Sequence, residues 1–324
     1  MSPNISRGII GSNGGETVSR LPYVASAASA VIFGFSFLFT KSALESLDMF
    51  QLLGSRFLVA AVFMRVLRAL KLIKVEITSI KVKDLMIVAI FQPILYFIFE
   101  TSGVDRTSAS ESGILIALIP VAVAIFAAWI LKERLRFWQW MSVMASVGGV
   151  VLITLPRFQD SSRSLIGIVA LLGAVLAGAL YQIVSKKASG RSSPVEVTYM
   201  MMWVGALFFN ILGIWNYSWA SKLPSYFSAF VRTDTLFAIL YLGILSSVVA
   251  FFCMNYALSR LTPSKTAVFI NLTPVVSVLA GVLFRGESFA PVQFLGATVV
   301  VLGVWGVGSG SGTMSNEITR NEAC

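Results

Sequence analysis

No histidine occurs in the 324 residues, which removes the side chain that most often serves as general base or metal ligand. An enzyme working through a Ser-His pair is excluded, and no Asp-rich metal motif stands in for it. Charge is scarce as well: Asp, Glu, Lys and Arg make up 12% of the chain, against about a quarter in soluble domains. With 56% apolar residues and a mean hydropathy of +0.83, a water-soluble fold is ruled out. Cysteine is nearly missing, and Cys253 inside an apolar run with Cys324 at the end cannot make a disulfide framework. A prenylation box needs its Cys four residues from the end, which Cys324 does not satisfy. No Gly-x-x-x-x-Gly-Lys-Ser/Thr loop is present, so direct ATP drive is not expected, nor is any cofactor or metal. The chain is read as a non-enzyme.

What remains is an all-α integral membrane protein. A bilayer core of about 30 Å needs roughly 20 apolar residues per helix, because every backbone amide must bond within the segment. Ten runs meet that length, at Pro22 to Leu44, Phe50 to Leu70, Leu85 to Gly103, Ser112 to Leu131, Phe137 to Leu155, Leu165 to Ser185, Val195 to Tyr217, Leu236 to Leu258, Thr266 to Phe284 and Phe289 to Val307. Residues 1–21 are polar and Gly-rich around Asn13-Gly14-Gly15-Glu16. They lack the pattern of a cleaved secretory signal, so the first apolar run is read as mature structure. A second polar tail covers 309–324.

Basic residues cluster in alternate loops: Arg65, Arg68, Lys71, Lys74, Lys81 and Lys83, then Lys132, Arg134 and Arg136, then Lys186, Lys187 and Arg191. Basic loops resist translocation, so the expectation is a multi-pass protein of the plasma membrane with both termini cytoplasmic. The net charge of +10 then reflects topology and contact with membrane lipid. Nucleic acid is not an expected partner, since neither a basic soluble domain nor a binding motif is present.

Setting Arg106–Ile153 against Arg260–Val307 without a gap pairs Arg106 with Arg260, Pro120 with Pro274, Glu133 with Glu287, Gln139 with Gln293 and Gly149 with Gly303. A mid-helix proline followed thirteen residues later by glutamate, twice, points to duplication. The units cover 22–155 and 165–308. Each holds five runs, an odd number, so the second copy is inserted upside down relative to the first.

These motifs carry a family resemblance. Thr107–Pro120 leading to Leu131-Lys132-Glu133, and Leu261–Pro274 leading to Arg285-Gly286-Glu287, with Phe33-Gly34-Phe35-Ser36 and Arg56 in support, resemble the EamA-like branch of the drug/metabolite transporter superfamily. The common Leu-Gly-Glu of that branch is Leu-Lys-Glu133 in the first copy and Arg-Gly-Glu287 in the second. The resemblance implies a ten-helix carrier that moves small organic solutes, often outward, through a cavity between its halves.

Polar residues inside apolar runs are the candidate site, because leaving them in hydrocarbon costs several kcal/mol each. Gln92, Tyr96 and Glu100 recur at i, i+4 and i+8 and share a stripe. They line a cavity or bond to neighbouring helices. Tyr181, Asn255 and Asn271 are the counterpart set toward the cytoplasm, with Gln182 and Lys265 near them. Arg56, Glu100 and Glu111 fall in the outer third and are candidates for an ion pair or for proton coupling. Pro120 and Pro274 are candidate gating points. Glu133 and Glu287 are read as structural carboxylates that accept from free amides of the following helix. Small residues at Gly167, Gly173, Ala174, Ala177 and Gly178 suit close packing or a roomy cavity wall, and spacing does not choose between these.

The functional expectation is a secondary transporter of small organic metabolites, such as amino acids, their analogues or drugs, working by alternating access and by export. The alternative is a nucleotide-sugar or phosphometabolite antiporter, which should carry basic residues at mid-depth. A non-transport membrane enzyme is remote. A small-molecule substrate and lipid are the expected partners, and the chain is expected to act as a monomer or homodimer.

Overall fold

The computed structural model of the chain describes residues 20–76, 78–130, 137–154, 162–219, 233–261, 266, 269, 272–287 and 290–309. Among these every regular element is helical and no strand occurs. Helices α1 (Leu21–Leu44) and α2 (Met49–Ala69) are continuous. The next run is made of α3 (Ser79–Ala89), a π-helical turn at Ile90–Leu95 and α4 (Tyr96–Arg106). It is followed by α5 (Ala109–Ile116), α6 (Ile119–Ile130), α7 (Phe137–Thr154), α8 (Ser162–Ala188) and α9 (Pro194–Trp219). Then α10 (Thr233–Leu240) passes through a π-helical stretch, Tyr241–Ala250, into α11 (Phe251–Arg260). Finally α12 (Leu272–Arg285) and α13 (Pro291–Ser309) end the described chain.

Seven helical runs are long and apolar enough to cross a membrane: Leu21–Leu44, Met49–Ala69, Lys81–Arg106, Ala109–Phe126, Leu165–Ala188, Pro194–Ser218 and Thr235–Arg260. Two shorter apolar helices, Leu272–Arg285 and Pro291–Gly303, follow. The protein is therefore a multi-pass, all-helical membrane protein. The second run holds as a helix despite its three arginines, because Arg65 and Arg68 reach outward while Arg56 is enclosed. Arg68 places its guanidinium 5.7 Å from the Tyr199 ring.

Local chemistry sets the ends. Asp48 caps α2, its Oδ1 accepting from the amides of Phe50 at 2.8 Å and Gln51 at 3.0 Å. Ser108 and Glu111 form a reciprocal capping box on α5. Ser193 and Glu196 do the same on α9, where Glu196 also takes an ion pair from Lys81 at 2.9 Å. Lysines close two C-terminal ends. Lys41 Nζ donates to the carbonyls of Val104 and Asp105 at 2.8 and 2.9 Å, and Lys186 Nζ donates to those of Leu258 and Leu261 at 2.9 and 3.0 Å.

Helices pair in an ordered way: α2 lies along α9, α7 along α13, α5 along α12, α4 along α8, and α1 along α11 and α12. Lipid offers no hydrophobic drive between helices, so contact depends on close approach of small residues. A Cβ on Gly103 of α4 would overlap Leu171 and stand 3.0 Å from the Gly167 carbonyl on α8. One on Gly149 of α7 would stand 2.7 Å from the Gly296 carbonyl on α13. Gly173 packs in the same way on the Phe99 ring, and Gly167 on Arg106 and Thr107. The choice left open by spacing resolves toward packing at these positions, while Gly178 packs on Ile119 and Tyr96 and also borders the cavity below.

Replacing Gly103 by leucine should lower the melting temperature of the detergent-purified protein, by an overpacking cost of about 1–3 kcal/mol. A melting curve superimposable on that of the wild type would contradict this account of the α4 and α8 contact.

Candidate functional site

The bundle holds a cavity walled by α1, α2, the π-helical turn with α4, α5, α6, α8, α11 and α12. The centre of a water molecule can move through about 50 Å³ of it, room for a few waters. Aromatic rings form much of the wall. Phe97 meets Phe57 edge-on at 5.1 Å, and Phe251 contacts Phe33, Phe97 and Tyr181 at 5.0, 6.0 and 6.2 Å.

The helix carrying Gln92 is interrupted where it meets the cavity. Gln92 has extended torsions (φ −149°, ψ 114°) within the π-helical turn, because a residue before proline is driven from the α region and Pro93 has no amide to donate. Non-helical backbone at membrane depth persists where it lines a cavity or is enclosed by protein. The expected stripe of Gln92, Tyr96 and Glu100 is therefore not one uninterrupted helix face, yet all three side chains line this space.

Arg56 stands in the same wall at 2% exposure. Its Nε donates to Ser247 Oγ at 2.8 Å and its Nη2 to Ser246 Oγ at 2.9 Å. Both hydroxyls are buried and come from the π-helical stretch Tyr241–Ala250. The guanidinium lies over Phe97, with Cζ 4.3 Å from the ring centroid, and 5.7 Å from that of Phe57. A desolvated contact of this kind is worth about 2 kcal/mol.

The expected ion pair of Arg56 with Glu100 or Glu111 is not formed. Glu100 shares the cavity and is near enough for the two charges to interact, but the serine hydroxyls hold the guanidinium. One Glu100 oxygen, Oε2, accepts from Thr101 Oγ1 at 3.0 Å. Glu111 does not border this space. Its Oε2 accepts from the Ser108 amide at 3.2 Å and its Oε1 from Gln293 Nε2 at 3.0 Å, as part of the α5 cap.

Tyr181 and Asn255 separate. Tyr181 lines the cavity, whereas Asn255 ties three helices together: its Oδ1 accepts from Tyr181 Oη at 2.7 Å and Ser185 Oγ at 2.9 Å, and its Nδ2 donates to Thr198 Oγ1 at 3.1 Å. A fully engaged amide is free to hold helices and not to meet solute, which corrects its expected place in the wall. Gln182, the next residue to Tyr181, lines the cavity at 2% exposure, with no partner for Oε1 among the described residues.

Glu287 accepts from the amides of Ala109 at 2.9 Å and Ser110 at 3.1 Å, and from the Ser110 hydroxyl. Among the described residues these amides belong to the start of α5 and not to the helix that follows Glu287, where they were expected. Packing of α5 on α12 delivers that end, and Gln293 caps its own helix instead, accepting from the Ala290 amide at 3.0 Å. Pro120 is the second residue of α6, just after a break at Ala117 and Leu118, where a missing amide costs no helical bond. Pro274 is the third residue of α12. Neither lines the cavity, although Ile119 and Thr273 beside them do. Asn271, Glu133 and Lys265 lie outside the described residues.

Phe97, Ser246 and Ser247 escaped the reading of the sequence. Two adjacent serines in the apolar run 236–258 were the available signal, as was Pro93 for the helix break.

The family model described as "EamA-like transporter family" matches the chain twice, over residues 20–155 and 165–309. The "Uncharacterized transporter YcxC" of Bacillus subtilis (strain 168) is 34% identical over 285 residues, covering 88% of this chain and 91% of that protein. A "Probable terminal-alkyne amino-acid exporter" of Streptantibioticus cattleyicolor is 26% identical over 208 residues, 62% of this chain and 65% of that one. A solved crystal structure superimposes with a TM-score of 0.64 at 17% identity, over 88% of this chain and 95% of that chain. At that identity it speaks for the fold alone.

Asn255→Leu should destabilise the protein by about 1–3 kcal/mol, the cost of leaving buried hydroxyls unpaired, read as a lower midpoint of denaturation in detergent. Glu287→Ala should cost about 0.5–2 kcal/mol as a lost cap, with Glu287→Gln recovering part of it. Equal midpoints for Glu287→Ala and the wild type would show that this cap contributes nothing.

Proposed function

The chain belongs to the EamA-like transporter family, and we propose that it is a secondary carrier exporting small organic metabolites, amino acids and their analogues foremost, by alternating access. The observation that carries this reading is the cavity, in which Arg56, Gln92, Tyr96, Glu100 and Gln182 lie together between helices of the two family matches. A chamber that gathers polar and charged groups inside an otherwise apolar bundle has a use in moving a polar solute past hydrocarbon.

The proposed architecture has ten spans in two inverted halves, with both termini cytoplasmic in a plasma membrane. Several features support it. One family model matches twice. The pairings α2 with α9 and α7 with α13 each join an element of the first match to the corresponding element of the second, and α12, the counterpart of α6, packs on the adjoining α5. The lysine caps correspond too, since Val104 and Leu258 stand at the same place in the repeat, capped by Lys41 and Lys186. Related halves can exchange inward-open and outward-open arrangements about a shared site.

The nucleotide-sugar or phosphometabolite alternative fits less well. Arg56 is the cavity's cationic side chain among the described residues, and several charges of a phosphate would exceed it. If protons drive export, Glu100 is the carboxylate placed to exchange one with the chamber, since Glu111 is engaged in a helix cap.

A toxicity screen in expressing cells followed by efflux of a radiolabelled hit from proteoliposomes, with and without a pH gradient, tests the proposal. Solute-dependent flux is expected; sealed vesicles showing none would overturn it. For the topology, single cysteines at Arg134 and Gly286, in a background with Cys253 and Cys324 replaced by serine, should be labelled from opposite sides of intact vesicles. Labelling of both from one side would rule out the inverted arrangement.

A further inference from the structure

The charged groups of the cavity are arranged as an incomplete set. Arg56 uses Nε and Nη2 on Ser247 and Ser246, and no described residue accepts from its Nη1. Its hydrogen-bond partners are neutral hydroxyls, so the guanidinium is held in position without a carboxylate on its fork. Glu100, at 2% exposure in the same cavity, has Oε2 on Thr101 and no donor on Oε1 among the described residues. The two opposite charges are close enough to interact yet share no ion pair. The gap between them is open to whatever occupies the cavity.

From this we propose that Arg56 and Glu100 form the two halves of a zwitterion site, which takes the α-carboxylate of an amino acid on Arg56 and its α-ammonium on Glu100. The inference rests on the transport reading above and assigns the substrate class of that same cavity. Charge counting singles out the class. Arg56 and Glu100 are the charged side chains lining the cavity among the described residues, and they balance each other. A zwitterion preserves that balance, whereas a carboxylate alone, an amine alone or a phosphate leaves net charge beside two buried side chains, in surroundings of low dielectric, which is costly. Carboxylate on guanidinium also gains the planar two-pronged geometry that favours arginine over lysine.

The rest of the wall faces the other end of the solute, and a chamber with room for a few waters must widen to admit a leucine or phenylalanine side chain. Phe33, Phe37, Ile116, Phe251 and Met254 present apolar surface to a neutral side chain. Ser246 and Ser247 are positioning residues, acting through Arg56. Consecutive residues on an ordinary helix point about 100° apart, and both reach one guanidinium from the π-helical stretch.

The test is competition on the purified full chain in proteoliposomes loaded with unlabelled L-leucine or L-phenylalanine, reading exchange of the radiolabelled amino acid. Each amino acid is challenged by its decarboxylated amine (3-methylbutylamine, phenethylamine) and its deaminated acid (4-methylpentanoate, 3-phenylpropanoate). Loss of one charge-assisted contact should make each analogue at least about tenfold weaker as a competitor. Arg56→Gln should abolish the difference between amino acid and amine, and Glu100→Gln the difference between amino acid and acid. Ser246→Ala with Ser247→Ala should raise the leucine concentration for half-maximal exchange while leaving competition by the amine unchanged.

Wild-type competition decides even if a variant fails to fold. Analogues competing as well as their amino acids would overturn the zwitterion site and leave transport standing. So would exchange of neither amino acid while another solute from the toxicity screen is carried. Absence of flux for every screened solute would overturn the transport reading itself.

Discussion

A guanidinium enclosed in a membrane-embedded bundle is the constraint around which the centre of this protein is arranged. Arg56 cannot shed its charge, so its surroundings must supply what water would. They do so with two serine hydroxyls on one edge and aromatic faces alongside. Those contacts reach from α2 to the π-helical stretch before α11, and so they join segments that lie in different family matches. The need to satisfy one cation therefore fixes how helices distant in sequence meet at the cavity.

The same rule, that polar groups in hydrocarbon must find partners inside the protein, accounts for features farther out. Carboxylates of Glu111, Glu196 and Glu287 settle on free amides at helix starts, and Lys41 and Lys186 settle on free carbonyls at helix ends. Several of these bonds cross between helices, so capping and assembly are the same act. Where the backbone departs from α geometry, at Gln92 and over Tyr241–Ala250, it does so beside the cavity. The proposed solute chamber and the proposed conformational change would then share their location.

Much of the helical layout was legible because apolar length is a strong signal: most described helices begin and end within a few residues of an apolar run, but α3 starts earlier at Ser79, α12 is described from Leu272, and the breaks at Gln92 and at Ala117 and Leu118 carry no mark in apolar length. Gln92, Tyr96 and Glu100 could be named because polar residues in an apolar run stand out. Asn255 and Glu111 stood out for the same reason, but polarity does not say whether a group faces a chamber or a neighbour. Asn255 is absorbed by Tyr181, Ser185 and Thr198, and Glu111 by its own helix start and Gln293. Phe97 was invisible because a phenylalanine in a membrane helix carries no mark of the cation it lies beneath.

Composition and periodicity by themselves determined that this chain is helical and built into a membrane, since hydrocarbon admits few other backbones and the lengths of the apolar runs are counted directly. They also revealed a repeated pattern around Pro120 and Pro274. Only tertiary structure decided which polar groups are spent on one another and which remain open to a solute. That outcome depends on distances between helices far apart in the chain, and no local spacing encodes whether Arg56 meets a carboxylate or a pair of serines.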